Sequence, residues 1–282
     1  MVVNRSIKIK GIFILCLIAI GLYVYFVSAK KQNSIIEPEV QGVTLTEAEP
    51  PVEESEDDYF FNKKVFGYSE TGRTIEGYEV GWGANVILIH ASLHGDEIGT
   101  TDLLNVFAEE LQSDPELVAS TTKLVIIPIA NPDGYYDRTD KLNSRGVNLN
   151  LNFQTKDWQK YGPLGTFAGE FPFSEKESQV LKQVVEEYKP VAMIAFHAEG
   201  ALVSPEGGKA SITLAKWYAK SAGYTYYDYW DFPGTATKWF EEAYGKPAIT
   251  VELTDDLKGD WSKNKKTLLE LVATDFNLLV EH

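Results

Sequence analysis

The fold is best approached from NVILIHASLHGDEIGTTDLLNVFAEELQ, which covers residues 85–112. It opens with a short apolar, β-branched run, NVILIH, of the kind found in strands that are buried on both faces. The pattern over 97–112 predicts a helix. His94-Gly95-Asp96-Glu97 joins the two elements. A buried strand therefore leads into a helix through a turn that carries a histidine and two acids.

The same alternation continues along the chain. The apolar runs at 123–130, 191–197 and 248–253 predict further buried strands, and helical patterns lie between them. These helices are expected after a capping box formed by Ser174 and Glu177, and over the segments 211–222, 235–244 and 262–280. Strands alternating with helices predict an α/β fold with a mixed, mostly parallel twisted sheet and helices on both faces. In such folds the site lies outside the carboxyl ends of the strands.

The N-terminal part differs in composition. Residues 11–29 carry no charge, have basic flanks and are close to the ~20 residues that cross a bilayer. They predict a membrane anchor, or a signal peptide that is cut after Ala29. Either places the rest of the chain outside the cytoplasm, at the cell membrane or secreted. We therefore expect a signal segment (1–31), an acidic disordered linker (32–58) and a catalytic domain (59–282).

Charge and cysteine content exclude some functions. The formal net charge is -15, and a nucleic-acid partner would require a basic surface. Cys16 is the only cysteine, so no disulfide can form within the chain and no cysteine-rich metal site exists.

Candidate metal ligands come from two predicted strand ends. His94 and Glu97 lie three apart in a first helical turn, and His197 ends another strand. His-x-x-Glu alone is a weak pattern, and a single strand-end histidine is more often a core residue. Together the three would make a His2Glu set with a fourth position open to water, as in catalytic zinc sites. Glu252, at the end of 248–253, is either a solvated strand-end residue or a general base.

These residues, with their flanks, resemble the zinc carboxypeptidase family. The matching stretches are HGDE (94–97), NPDG (131–134), GVNLNLNF (146–153), the strand that ends in His197, and PAITVEL (247–253). The resemblance covers roughly residues 60–280, and PGTATKWFEEAYGKPAITVEL (233–253) looks most like the branch of bacterial murein tripeptide amidases. It implies one Zn²⁺ per chain held by His94, Glu97 and His197. It also implies that Glu252 is the general base and acid.

The chain departs from this family at the cation that stabilises the oxyanion. Lys141 stands where the family has an arginine, and Arg138 and Arg145 lie nearby in sequence. Lysine supplies the charge without the planar fork of a guanidinium. Which of the three acts stays open at this point, and each could also be an ordinary surface cation.

A second departure concerns substrate binding. The family's Asn-Arg pair, which grips a terminal carboxylate, reads Asn150-Leu151, and Asn148 replaces the usual aspartate. The bidentate clamp is therefore lost, and we expect Asn150 with Arg145, or an amine-binding acid such as Asp255, to recognise the substrate. The aromatic segment 225–232 is either a lining of the cleft or a packed core edge.

The resemblance thus implies a zinc-dependent hydrolase of peptide or amide bonds, acting on peptidoglycan stem peptides at the bond between γ-D-glutamate and a diamino acid. Two alternatives stay open: a carboxypeptidase acting on ordinary peptides, and a non-catalytic zinc- or peptide-binding module.

Overall fold

The computed structural model describes residues 61–280. These residues contain one eight-stranded sheet in the order β1-β2-β4-β3-β5-β8-β6-β7. The strands are β1 (Phe61–Tyr68), β2 (Thr74–Val80), β3 (Asn85–His90), β4 (Thr122–Ile127), β5 (Ala192–Ala198), β6 (Leu202–Pro205), β7 (Thr225–Tyr226) and β8 (Ala248–Leu253).

The sheet is mixed, with a parallel centre. β4, β3, β5 and β8 run parallel to one another, whereas β1, β2 and β6 join through antiparallel pairs. The hairpin of β1 and β2 was absent from the sequence prediction. Its half-exposed, charged residues lack the continuous apolar run that marked the central strands.

Seven α-helices lie within the described residues. They are α1 (Ile98–Ser113), α2 (Pro132–Asp137), α3 (Lys176–Tyr188), α4 (Lys209–Ala222), α5 (Ala236–Tyr244), α6 (Trp261–Ala273) and α7 (Phe276–Val280).

Two helix predictions were wrong in detail. The single helix expected over 262–280 is two helices, because Thr274 is extended and Asp275 Oδ1 accepts from the amide of Asn277. The capping box does not form. Ser174 Oγ instead donates to the Glu175 carboxylate, and Glu177 Oε1 accepts from the amide of Glu70. A tertiary contact has replaced the local one.

Both faces of the sheet are covered, as expected. One core contains Leu103, Phe107, Tyr218 and Leu271, contributed by α1, α4 and α6. The opposite core contains Leu181 from α3 and other side chains from α5. Burial on both faces explains why the central strands are apolar throughout.

The topology determines where a site can form. The chain passes from β3 to β4 on one side and then returns to β5 on the other side of β3. Such a reversal opens a crevice at the carboxyl ends of β3 and β5. The segment after β3 carries His94 and Glu97, and β5 carries His197.

The predicted signal segment (1–31), with its apolar run 11–29, and the predicted linker (32–58) lie outside the described residues. Among the helices of residues 61–280, none is both long enough and apolar enough to cross a membrane.

Candidate metal centre and active site

Two imidazoles and one carboxylate converge at the crevice between β3 and β5. His94 Nδ1 lies 2.6 Å from Glu97 Oε1, and His197 Nδ1 lies 2.9 Å from Glu97 Oε2. The three donor atoms lie within 4.8 Å of one another, and all three side chains are buried. The segments that the sequence analysis selected separately therefore meet at one point.

The orientation of His94 suits metal binding through Nδ1. Its other nitrogen, Nε2, lies 3.2 Å from Asn148 Oδ1, which also accepts from the Asn150 amide at 3.0 Å. An amide oxygen that accepts from Nε2–H leaves the lone pair on Nδ1 free for a metal. The His2Glu donor set fits Zn²⁺ and leaves a position for water or substrate.

The electrostatics of the three residues are coupled. Burial alone would raise the pKa of Glu97, but the adjacent imidazoles of His94 and His197 hold it well below its usual range. Burial opposes protonation of His94, whereas the charge of Glu97 raises the pKa of this histidine. Behind them His90 is fully buried, and burial lowers its pKa to about 3, so it is a neutral core residue. The permanent charge of the cluster is therefore the Glu97 carboxylate.

Glu252 lies beside this cluster on β8. It is paired in register with His197 on β5, so both side chains leave the same face of the sheet. A Cβ on Gly200 would lie 3.0 Å from the Cβ of Glu252, so a larger residue at position 200 would crowd this side chain. Burial raises the pKa of Glu252 to about 7. A carboxyl group of this kind can both accept and return a proton near neutrality.

Of the three candidate cations, only Lys141 acts on the site. Burial is the largest influence on the pKa of His94 and on that of Glu252. The charge of Lys141 is a smaller influence and lowers both pKa values. Arg138 ends α2 in a left-handed conformation, with its guanidinium 5.1 Å from the Tyr135 ring centroid. Arg145 Nε lies 3.6 Å from Glu175 Oε2, and this half-exposed side chain also approaches Glu70.

The loop of Lys141 reaches the site through the NPDG turn. Asn131 Nδ2 donates to the carbonyl oxygens of Leu93 and Leu142. The buried Asp133 accepts from Ser69, Thr71 and Ser144, which ties the turn to the first hairpin. The NPDG turn therefore positions the loop of Lys141, and the hydrogen bonds of Asp133 hold this turn in place.

The predicted substrate-binding residues are held in local contacts. Asn150 Oδ1 accepts from the amide of Ala236 at 3.2 Å. Leu151 is buried beneath Gly162 and serves in packing. Asp255 Oδ1 accepts from the amide of Leu257 at 2.8 Å, and its other oxygen lies 3.9 Å from Lys258 Nζ. These contacts do not bring Asp255 to the metal cluster.

Two positioning residues escaped the sequence analysis. Asn148 was noted only as a departure from the family, yet its side chain is the partner of His94. Gly200 had no distinguishing pattern, since its importance lies in contact with a residue about fifty positions away. The amide of Gly200 donates to the carbonyl of Leu253, which brings the segment after β5 against Glu252.

The buried His2Glu cluster with an adjacent carboxylate defines a metallopeptidase-type site, and sequence comparison agrees. The sequence model described as zinc carboxypeptidase matches residues 54–273. Murein peptide amidase A of Vibrio campbellii is 30% identical over 180 residues, which are 59% of this chain and 68% of that protein. The uncharacterized protein YqgT of Bacillus subtilis is 27% identical over 247 residues, with 69% of this chain and 65% of YqgT covered. This chain therefore belongs to the zinc carboxypeptidase family and is a zinc metallopeptidase.

Solved structures share the fold. Carboxypeptidase A from Helicoverpa armigera has a TM-score of 0.64 at 18% identity, with 76% of this chain and 69% of that chain covered. The murein-tripeptide amidase MpaA from Escherichia coli O157 has a TM-score of 0.58 at 23% identity, with 78% and 92% covered. The resemblance inferred from the sequence motifs and the predicted α/β architecture are confirmed at the level of family and fold.

Proposed function

We propose that this protein hydrolyses the amide bond between γ-D-glutamate and a diamino acid in peptidoglycan stem peptides. The 30% identity with a murein peptide amidase carries the choice of substrate. The position where the family has its carboxylate-gripping arginine is Leu151, which is buried in packing, and Arg145 is turned toward Glu70 and Glu175. The free carboxylate of the diamino acid would therefore be bound by other groups than that arginine clamp.

His94, Glu97 and His197 would hold one Zn²⁺ per chain. Zinc supplies Lewis acidity, which activates water and polarises the scissile carbonyl. Asn148 keeps His94 in the tautomer whose Nδ1 is free to bind. Burial of the whole cluster excludes competing water and strengthens each electrostatic contact.

Glu252 is the proposed proton carrier. Its carboxylate takes a proton from the attacking water and returns it to the leaving nitrogen, as general base and then general acid. Burial raises the pKa of Glu252, which helps its carboxylate to take the proton, and the positive charge of a bound zinc ion would lower that pKa, which helps the carboxyl group to give the proton up. Lys141 is the proposed cation for the negative charge that develops on the carbonyl oxygen.

Product analysis tests this proposal. Purified protein is incubated with the peptide L-Ala-γ-D-Glu-diaminopimelate and, separately, with plain α-linked peptides, and the products are identified by mass spectrometry. Free diaminopimelate is expected from the first substrate and none from a Glu252→Gln variant. Loss of single C-terminal residues from plain peptides, with the murein peptide intact, would favour an ordinary carboxypeptidase. Bound zinc without any cleavage would favour a binding module.

We also propose that the enzyme works outside the cytoplasm, held at the membrane by residues 11–29 or released after Ala29. The charge-free run with basic flanks supports this location. Protease treatment of intact cells tests it. Digestion of the catalytic domain without cell lysis is expected, and full protection would reject the proposal.

A further inference from the structure

His90 is a buried residue beside the metal cluster that the mechanism above does not use. It ends β3, its side chain is fully buried, and neither ring nitrogen has a hydrogen-bond partner among residues 61–280. A neutral imidazole carries one donor and one acceptor nitrogen. Because buried polar groups are nearly always paired with protein or with water, both nitrogens of His90 require an explanation.

The zinc ligand His197 has a matching unpartnered atom. Its Nδ1 lies against Glu97, whereas its Nε2 is buried and has no hydrogen-bond partner within the described part of the chain. A histidine that binds a metal through Nδ1 carries its proton on Nε2, so this atom is a donor. His94 differs, because Asn148 Oδ1 lies 3.2 Å from its Nε2. Of the two imidazole ligands, His197 is the one that still needs an acceptor.

The sheet places His90 and His197 on one face. His90 pairs with Ala195 in the parallel register of β3 and β5, and Ala195 precedes His197 by two residues. Paired residues share a face, as do alternate residues along a strand, so the two histidines project to the same side with an offset of about 7 Å along the strands. Ala195 carries only a methyl group, so its side chain does not separate the two rings.

The two rings are near each other without touching through a hydrogen bond. Burial is the main cause that lowers the pKa of His90, and the charge of His197 is the second. Neither ring donates directly to the other, since Nε2 of His197 and both nitrogens of His90 lack partners. A buried water is held by two to four polar groups and satisfies those that protein atoms leave unpaired. The space between the two rings offers both a donor and an acceptor to such a water.

We infer that His90 positions the zinc ligand His197 through one buried water, which accepts from Nε2–H of His197 and donates to a nitrogen of His90. His90 is thus a positioning residue and does for His197 what Asn148 does for His94. A partner on the outer nitrogen fixes the ring orientation of a metal-binding histidine and makes it a stronger ligand. The inference rests on the zinc ligands of the proposed function and is independent of its substrate.

Zinc affinity of the purified protein tests this, measured by competition with a chelator. His90→Leu removes both ring nitrogens and keeps a side chain of similar size, and it should weaken zinc binding about 10- to 100-fold. His90→Asn and His90→Gln each place an amide oxygen near one of the ring nitrogens, and the better of the two should restore most of the loss. Native affinity in His90→Leu would overturn the inference, as would an equal loss in all three variants.

Thr122→Val is the matched control. The Thr122 hydroxyl is also fully buried and unpartnered within the described residues, but it begins β4, at the opposite end of the parallel strands from His90. Valine keeps the shape of the side chain, so zinc affinity should not change. A loss similar to that of His90→Leu would attribute both effects to general loosening of the core and would overturn the inference.

A crystal structure of the native, zinc-loaded protein supplies a test that does not depend on a variant folding. It should show one ordered water within about 3.2 Å of both His197 Nε2 and a nitrogen of His90. Protein atoms in that position, or the lack of an ordered water there, would overturn the inference. Absence of stoichiometric zinc from the native protein would reject the proposed function as well, whereas normal zinc binding with native affinity in His90→Leu rejects this inference alone.

Discussion

Two groups of three acidic or histidine residues come together among the described residues, and only one of them resembles a metal site in its surroundings. His94, Glu97 and His197 form the first group, and Glu70, Glu175 and Glu177 form the second. In the first group, Nδ1 of each histidine contacts the carboxylate of Glu97.

The second group is already satisfied by protein donors. Glu175 accepts from Asn143 and Ser174, and Glu177 accepts from the amide of Glu70. Arg145 lies beside this cluster and balances part of its charge. The hydrogen-bond donors and cations around a cluster therefore distinguish a metal site from a structural cluster of carboxylates better than the residue types alone do.

Removal of a ligand should give the largest difference between the two groups. His197→Ala leaves two ligands for zinc, so we expect loss of stoichiometric metal and of detectable hydrolysis. Zinc is measured by elemental analysis of the purified proteins. The matched change, Glu175→Gln, should keep zinc stoichiometric. Equal zinc loss in both variants would contradict the assignment of the metal site to the first group.

The next largest effect distinguishes metal binding from proton transfer at the first group. Glu252→Gln removes the proposed base while its amide fills the same space next to Gly200. We expect turnover to fall by about 10²–10⁴-fold, the usual value of general acid–base catalysis, with zinc retained. Steady-state kinetics and metal analysis on one sample check this. A variant that kept its turnover would remove Glu252 from the mechanism.

A smaller effect distinguishes the cations of the loop that lies between the two groups. Lys141→Met should lower turnover by about 10²-fold, as loss of an oxyanion-stabilising group does. Arg138→Met and Arg145→Met should change it little, because these side chains face Tyr135 and the second group. The three variants are compared by kcat under identical conditions. If Arg145→Met were the most damaging, the loop would have to rearrange when substrate binds.

The position of the first group could be predicted from the sequence better than that of the second group. β3 and β8 begin and end at the predicted residues, because continuous apolar runs occur where both faces of a strand are buried. His94, Glu97 and His197 are placed by the ends of such strands, so their convergence follows from topology.

Loop residues were harder to place. The position of Lys141 depends on Asn131, whose side chain holds two distant carbonyl groups. Glu177 was assigned to a local capping box and contacts Glu70 across the fold instead. Such contacts join residues far apart in sequence, and no local pattern predicts which partner a polar side chain will find.

The smallest effect tests the second group through stability. Burial raises the pKa of Glu177 from 4.5 to about 7. Its protonated form is therefore favoured in the folded state, and the resulting stability is complete below pH 4.5 and is lost as pH rises through about 7. The free energy of unfolding should fall over this interval by at most about 3 kcal/mol from this residue.

Glu177→Gln should remove that part of the pH dependence, because a neutral side chain keeps the acceptor for the Glu70 amide at every pH. Chemical denaturation at several pH values measures the difference between the native protein and the variant. Glu206 and Glu252 also have raised pKa values and contribute in the same direction, so only the difference between the two curves reports on Glu177. Parallel curves would mean that Glu177 stays ionised throughout, and some cation would then have to neutralise the second group. That result would make the two groups more alike than their hydrogen bonds indicate.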